Sequence, residues 1–140
     1  MFEQYILTFL ALWLIIMTII VQQFTAIFVN RKYGKFVPGK FDNDLGPESF
    51  IFRSDRTFKN SLENIVQFIV PVILAIHLDV YNMALAVIVW IYAIARIGHM
   101  VAYYKSTSSK NPSLKSYFFL LGFLMNVILM VMVLIQIFTI

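Results

Sequence analysis

The segment Arg56-Thr57-Phe58-Lys59-Asn60-Ser61-Leu62-Glu63-Asn64 runs directly into an apolar stretch over residues 65–76, and its reading decides the fold. Arg56, Lys59, Asn60 and Glu63 follow an i, i+3, i+4, i+7 spacing, which gathers them on one face of a helix. A second stripe, Arg96, His99 and Tyr103 at i, i+3, i+7, lies inside another apolar run. Ionisable groups in lipid are costly, so they normally face a protein interior or a wet cavity and carry function. Two such stripes predict a polar site inside a bundle of membrane helices.

Working outward, the rest of the chain agrees with a membrane setting. Of its 140 residues 61% are hydrophobic and only 13% charged, with a mean hydropathy of +0.83. A soluble domain carries about 25% charged residues to cover its surface. Apolar stretches over residues 5–29, 60–78, 82–104 and 116–140 reach or approach the roughly 20 residues that cross a bilayer. Alternating strand patterns are absent, and lipid-exposed backbone must satisfy its own hydrogen bonds. The expected fold class is an all-α membrane protein, a four-transmembrane-helix bundle forming one domain over residues 1–140. Its helices are expected over about residues 5–33, 58–78, 82–104 and 114–139. The first stretch opens with Glu3, has a long core and lacks a small-x-small cleavage site, so it reads as a retained helix rather than a signal peptide.

The formal charge of +4 raises nucleic acid as a partner, but its distribution argues against one. Arg31, Lys32, Lys35, Lys40, Arg53, Arg56 and Lys59 cluster in one loop region, and Lys105, Lys110 and Lys115 in the other. Four spans put both regions on the same side. The opposite side, made by the termini and the turn around Asp79, has no Lys or Arg. Under the positive-inside rule the long loops are cytoplasmic and both termini outside. A chain this compact suits a bacterial inner membrane. Cysteine is absent, so no thiolate of the chain itself serves as nucleophile or metal ligand. If thiol chemistry occurs, the sulfur arrives on a ligand.

Gly34 is a natural stop for the first helix. Residues 35–55, with Pro38-Gly39 and Gly46-Pro47, read as a loop, either a site wall or lid or an ordinary connector. Pro71 is expected to kink the second helix. Gln22, Gln23 and Thr25 are candidates to face neighbouring helices. Asn126 and Gln136 are the polar exceptions of a last helix otherwise read as lipid-facing, with one or two interhelical hydrogen bonds.

Arg96 unpaired within the membrane costs about 3 kcal/mol even on lenient insertion scales. A Glu63–Arg96 pair that merely glues two helices is the simplest account of the stripes. Against it, Arg56, Lys59 and Arg96 outnumber Glu63 by two positive charges, and Asn60, His99 and Tyr103 add mixed donors and acceptors. A small anionic, peptide-like ligand suits both features: arginine forks onto carboxylates, Asn matches an amide and Glu63 holds an ammonium group. His77 and His99 fall toward opposite sides of the membrane and make no metal set. No phosphate loop or nucleophile elbow is present.

The two motifs, Arg56-Thr-Phe-Lys59-Asn60-Ser-Leu-Glu63-Asn64 and Ala95-Arg96-Ile-Gly-His99-Met-Val-Ala-Tyr103, resemble those of the MAPEG family, the membrane-associated proteins of eicosanoid and glutathione metabolism. That family reads roughly Arg-x-x-x-Asn-x-x-Glu entering its second helix and Arg-x-x-His-x-x-x-Tyr in its third. The resemblance covers nearly the whole chain. It implies a homotrimer that binds glutathione between subunits near the cytoplasmic face, with Arg56, Asn60, Glu63, Arg96, His99 and Tyr103 as contacts. Lys59 and either Arg31 or Lys32 would also approach the ligand. Two departures stand out. Many relatives place a proline four residues after the Glu, whereas here Pro71 lies farther on. Catalytic members carry a thiolate-stabilising arginine at the start of the fourth helix, where this chain has Lys115-Ser116.

The expected function is therefore a membrane glutathione transferase or peroxidase, with Lys115 and Ser116 as catalytic candidates. Glutathione serves as co-substrate, and lipophilic electrophiles or lipid hydroperoxides enter from membrane lipid. The alternative is a non-catalytic lipid-binding or scaffold member of the same family. A channel is disfavoured, because the fourth helix offers almost no polar lining.

Overall fold

The computed structural model describes residues 2–34, 44–107 and 113–140. Four long helices dominate it: α1 (Ile6–Tyr33), α2 (Phe50–His77), α3 (Asn82–Lys105) and α4 (Leu114–Thr139), with a 3-10 turn Phe2–Tyr5 leading into α1. All four are long and apolar enough to cross a membrane, and no strand occurs among the described residues. The chain is a multi-pass, all-α membrane protein.

Each helix buries one stripe and leaves other faces exposed, as a membrane span does. On α1 the stripe is Thr8, Ala11, Ile15, Thr18, Gln22 and Ala26, recurring every three or four residues, while Trp13, Phe24 and Phe28 point outward. Lipid tails are as apolar as these side chains, so close packing rather than escape from water holds such helices together. That requirement explains α3, which touches the other three helices. Half of its apolar window is buried, against 28% or less elsewhere. It achieves this with small residues, Ala86, Ala93, Ala95 and Ala102, which let backbones approach. Between α2 and α3 the rings of Phe68 and Tyr92 stack with centroids 3.6 Å apart and planes 6° from parallel.

Helix ends show how local chemistry sets the boundaries. The Gly34 N–H donates to Asn30 O at 2.9 Å and closes α1, with the backbone at Gly34 extended rather than left-handed. Glycine is suited to the spot because a Cβ would lie 2.7 Å from Asn30 Oδ1. The second helix starts at Phe50, well before the expected position near residue 58. Its extra turns are amphipathic and charged, which reads as loop in sequence. Their inner side is Ile51, Ser54 and Thr57, and Asp55 pairs with Lys59 at 2.8 Å. Arg53 ties the start down by donating to Pro47 O, Glu48 O and, through Nε, Tyr104 O. Thus the expected loop over residues 35–55 is helical from Phe50 onward, and Gly46-Pro47 forms the turn before it. Pro38-Gly39 and residues 108–112 lie outside the described residues. The helix runs unbroken through the buried Pro71.

At the end opposite these loops the chain ties a polar knot. Asp79 adopts a left-handed backbone, φ 54°, at the α2–α3 turn. Its carboxylate accepts from Gln4 Nε2 and Tyr5 Oη, both at 2.9 Å, and Val80 O lies 3.0 Å from the same tyrosine hydroxyl. Asn82 donates to Gln4 O, and Gln136 donates to Leu78 O at 3.0 Å, so α4 joins the knot.

Candidate functional site

The loop end is built differently. A cavity of about 600 Å³ opens there between α2, α3 and the first turns of α4. Asn60 comes to it from α2, His99 and Tyr103 from α3, and Lys115 and Ser116 from α4. These five were all expected as site residues. Apolar walls are supplied by Phe52, Phe119 and Leu120, which carried no signal in sequence because they resemble any lipid-facing side chain.

Helical geometry explains why Asn60 enters and its stripe-mates do not. Successive residues turn by about 100°, so of the four stripe members Asn60 sits closest to the inner side marked by buried Thr57 and Ser61. Lys59 and Glu63 rotate away and are exposed. Arg56 Nη1 meets Glu63 Oε1 at 3.9 Å on that outer face. Arg31 is exposed on the last turn of α1.

Arg96 lies behind the cavity and is buried. Its Nη2 donates to Asn60 Oδ1 at 2.6 Å and to Ser61 Oγ at 3.2 Å. The simple Glu63–Arg96 pair is therefore corrected: Glu63 meets Arg56, and Arg96 rests on two neutral oxygens. Within the protomer Arg56 and Glu63 lie on the outer face of α2, away from Arg96. Because a guanidinium only donates, it fixes the Asn60 amide with its oxygen inward and leaves the NH2 group for the cavity. Ser61 was missed as a site residue. Its signal was present, a hydroxyl one position beyond the stripe and so roughly 100° toward the core.

Two small cavities of about 10 Å³ flank Arg96, one lined by Thr18, Ser61 and Tyr92, the other by Asn64, Gln67 and Asn126. Each approaches the room of a single water molecule. A buried polar atom supports that use at the second of them, since Asn126 Oδ1 has no hydrogen-bond partner among the described residues; both amide atoms of the buried Gln22 likewise have none. Of the other α1 candidates, Gln23 is exposed and Thr25 donates to Val21 O within its own helix.

His99, which lines the cavity, is 3% exposed, and its Nδ1 has no hydrogen-bond partner among the described residues. Its ring packs between Tyr103 and Phe119, at 5.5 and 6.5 Å between centroids. Lys115 Nζ stands 4.5 Å from the Tyr103 ring centroid, a cation–π contact. Ser113 and Ser116 form a capping box at the start of α4, so the hydroxyl of Ser116 serves the helix terminus as well as the cavity rim. Among the described residues the lining thus combines one lysine and a helix N-terminus with no carboxylate. Both positive features favour an anion.

Such an arrangement defines a four-helix membrane protein with a cationic, polar recess at one end. The MAPEG family model matches residues 3–135, nearly the whole chain, and the chain belongs to that family. No curated protein and no solved structure matches it.

Proposed function

We propose that the chain binds glutathione in this recess and uses its thiolate to conjugate lipophilic electrophiles or reduce lipid hydroperoxides. One observation carries the reading: Lys115 and Ser116 share a single cavity with Asn60, His99 and Tyr103, three residues of the two polar motifs. The family supports a role in glutathione or eicosanoid chemistry, and the absence of cysteine means that any sulfur nucleophile comes with the substrate.

The residues divide the work. Asn60, oriented by Arg96, offers amide N–H groups to a peptide carbonyl, and the His99 ring forms part of the same wall. Lys115, at the positive end of the α4 dipole, lowers the thiol pKa by favouring the anion, and the thiolate is the attacking species. In conjugation the sulfur forms a bond to an electrophilic carbon while the leaving group departs with its electron pair. In peroxide reduction it takes the distal oxygen, the O–O bond breaks to release an alcohol, and a second glutathione completes the disulfide with loss of water. Arg56, Lys59, Glu63 and Arg31 lie outside the protomer's cavity and act in a homotrimer, where a neighbouring subunit brings the outer face against the ligand. The recess opens to the cytoplasm, following the basic loops.

A non-catalytic lipid-binding or scaffold role is the second reading. It is favoured by Lys115 standing where catalytic relatives have arginine, its ammonium engaged with the Tyr103 ring. Calorimetry with glutathione in detergent decides between them. Binding in the micromolar to millimolar range, weakened by Arg96→Ala and accompanied by ultraviolet thiolate absorbance, is expected. Absence of binding at millimolar glutathione overturns the proposal. Binding without thiolate formation selects the non-catalytic role.

A further inference from the structure

Beside Arg96, toward α4, lies a hollow of about 10 Å³. Asn64 and Gln67 of α2, Arg96 of α3, and Gly122 and Asn126 of α4 line it, and Phe119 borders both this space and the recess. Its size is close to that of one water molecule. The chemistry of the lining selects that occupant. Asn126 Oδ1 is buried without a hydrogen-bond partner among the described residues, and an amide oxygen only accepts. Arg96 is 5% exposed and only donates. Both of its hydrogen bonds leave from Nη2, to Asn60 Oδ1 and Ser61 Oγ, while a guanidinium also carries N–H donors on Nε and Nη1. The α2 wall has partners of its own: Gln67 Nε2 donates to Asn64 Oδ1 at 3.2 Å, and Asn64 Nδ2 donates to Asn60 O at 2.7 Å. A cation in this space would be repelled by the guanidinium, and an anion by the Asn126 oxygen. A water both accepts and donates, so it answers each side.

We propose that one ordered water fills this hollow, accepting from the Arg96 guanidinium and donating to Asn126 Oδ1, and that Asn126 is thereby a positioning residue for the recess. The chain of contacts is short: Asn126, the water, Arg96, then the Asn60 amide that lines the recess. A buried polar network is rigid when each member has its partners, and a guanidinium released on one side is free to shift on the other. The fourth helix then supports the recess at two depths, with Ser116 at the rim and Asn126 roughly 15 Å farther along at 1.5 Å per residue. The water stands on this geometry alone, whereas the positioning role rests on the glutathione reading of the recess.

Two measurements test it. A high-resolution crystal structure of the wild-type chain should show one water within hydrogen-bonding distance of both Arg96 and Asn126 Oδ1. An empty hollow, or one closed by a side chain, overturns the proposal. Calorimetry with glutathione in detergent reads the positioning role. Asn126→Leu, similar in size and suited to a membrane interior, should weaken binding about fivefold without lowering the midpoint of thermal unfolding. Asn126→Gln, whose longer amide can take the water's place on Arg96, should return affinity to within about twofold of wild type. Gly122→Ala narrows the hollow without strain, since its Cβ would lie 3.7 Å from Arg96 Cδ and from the Tyr92 ring, and should lose both the water and affinity. In an Arg96→Leu background Asn126→Leu should add nothing, because the link is already cut. Wild-type affinity in both Asn126→Leu and Gly122→Ala overturns the positioning role. A loss that Asn126→Gln does not restore, or that comes with a lower unfolding midpoint, marks packing damage and overturns it equally. A wild-type chain that binds no glutathione at millimolar concentration overturns the reading of the recess, and the positioning role with it, while the crystal structure still decides the water.

Discussion

The two ends of the bundle use similar residues to opposite effect. At the α2–α3 turn, Gln4, Tyr5, Asp79, Asn82 and Gln136 hydrogen-bond with one another or with backbone carbonyls. At the loop end His99, Lys115 and the Asn60 amide border a cavity, and His99 Nδ1 has no hydrogen-bond partner among the described residues. Buried polar groups are normally satisfied, and the exceptions call for an explanation. A closed set of partners marks a structural clamp. An open set beside a hollow marks a place where something else supplies the partners. The same rule separates Gln136, which docks α4 onto Leu78 O, from Asn126, whose oxygen borders a water-sized space beside Arg96.

The largest effect is expected at the residue that links cavity to core. Arg96→Leu removes the donor that holds Asn60 and Ser61, and hydrogen bonds to charged groups contribute about 1.5–3 kcal/mol each. Calorimetry should show glutathione affinity reduced by about tenfold to a hundredfold, since Asn60 is then free to turn. Arg96→Lys keeps the charge but holds only one oxygen well, and should recover part of the loss. If Arg96→Leu binds glutathione normally, the cavity does not depend on the buried guanidinium.

Next in size is Lys115→Gln. Removing this cation makes the bound thiol harder to ionise, so its pKa rises and the thiolate fraction at neutral pH falls. The expected result is about a tenfold drop in kcat with little change in KM, and an activity profile displaced toward higher pH. Raising the pH should restore most of the rate. Lys115→Arg should retain or increase it. An unchanged pH profile in Lys115→Gln would assign thiolate stabilisation to the helix terminus alone.

The comparison is then broken from the other end. Tyr5→Phe deletes the hydroxyl that reaches both Asp79 and Val80 O, in a side chain only 1% exposed. A loss of about 1–1.5 kcal/mol in stability is expected, read as a lower midpoint of thermal unfolding in detergent. Glutathione affinity should stay within about twofold, because the knot touches nothing at the cavity. A binding defect in Tyr5→Phe would show that the two ends are coupled.

Much of this architecture was readable from the chain, and the gaps have physical causes. The four spans follow from bilayer thickness, which acts on length and hydropathy alone. Asn60, His99, Tyr103, Lys115 and Ser116 stand out as candidates in the sequence, and these five line one cavity. What sequence could not show is rotation within a stripe. An i, i+3, i+4, i+7 pattern spans roughly 100° of helix face, so Asn60 turns inward while Lys59 and Glu63 turn out. The early start of α2 was hidden for a related reason. Arg53, Asp55, Arg56 and Lys59 give an amphipathic turn the composition of a loop, and only Arg53 bonding to Pro47 O, Glu48 O and Tyr104 O reveals its anchorage. Phe52, Phe119 and Leu120 became walls by position, not by type.

The smallest effect on stability is expected at Arg56 and Glu63, and it is the sharpest test of the outer face. Their contact is 3.9 Å long, with side chains 40% and 59% exposed. Exposed pairs of this kind contribute roughly 0–1 kcal/mol, so a double-mutant cycle on unfolding should give a coupling below about 0.5 kcal/mol. Glutathione binding should respond differently. If a neighbouring subunit brings this face against the ligand, Arg56→Ala and Glu63→Ala each weaken affinity in the assembled protein while leaving the unfolding midpoint in place. Chemical cross-linking that returns a trimer, together with that loss, would join the outer face to the cavity as one site. Unchanged affinity in both variants would confine recognition to Asn60, His99, Tyr103 and Lys115, with the Arg56–Glu63 contact left as surface decoration of α2.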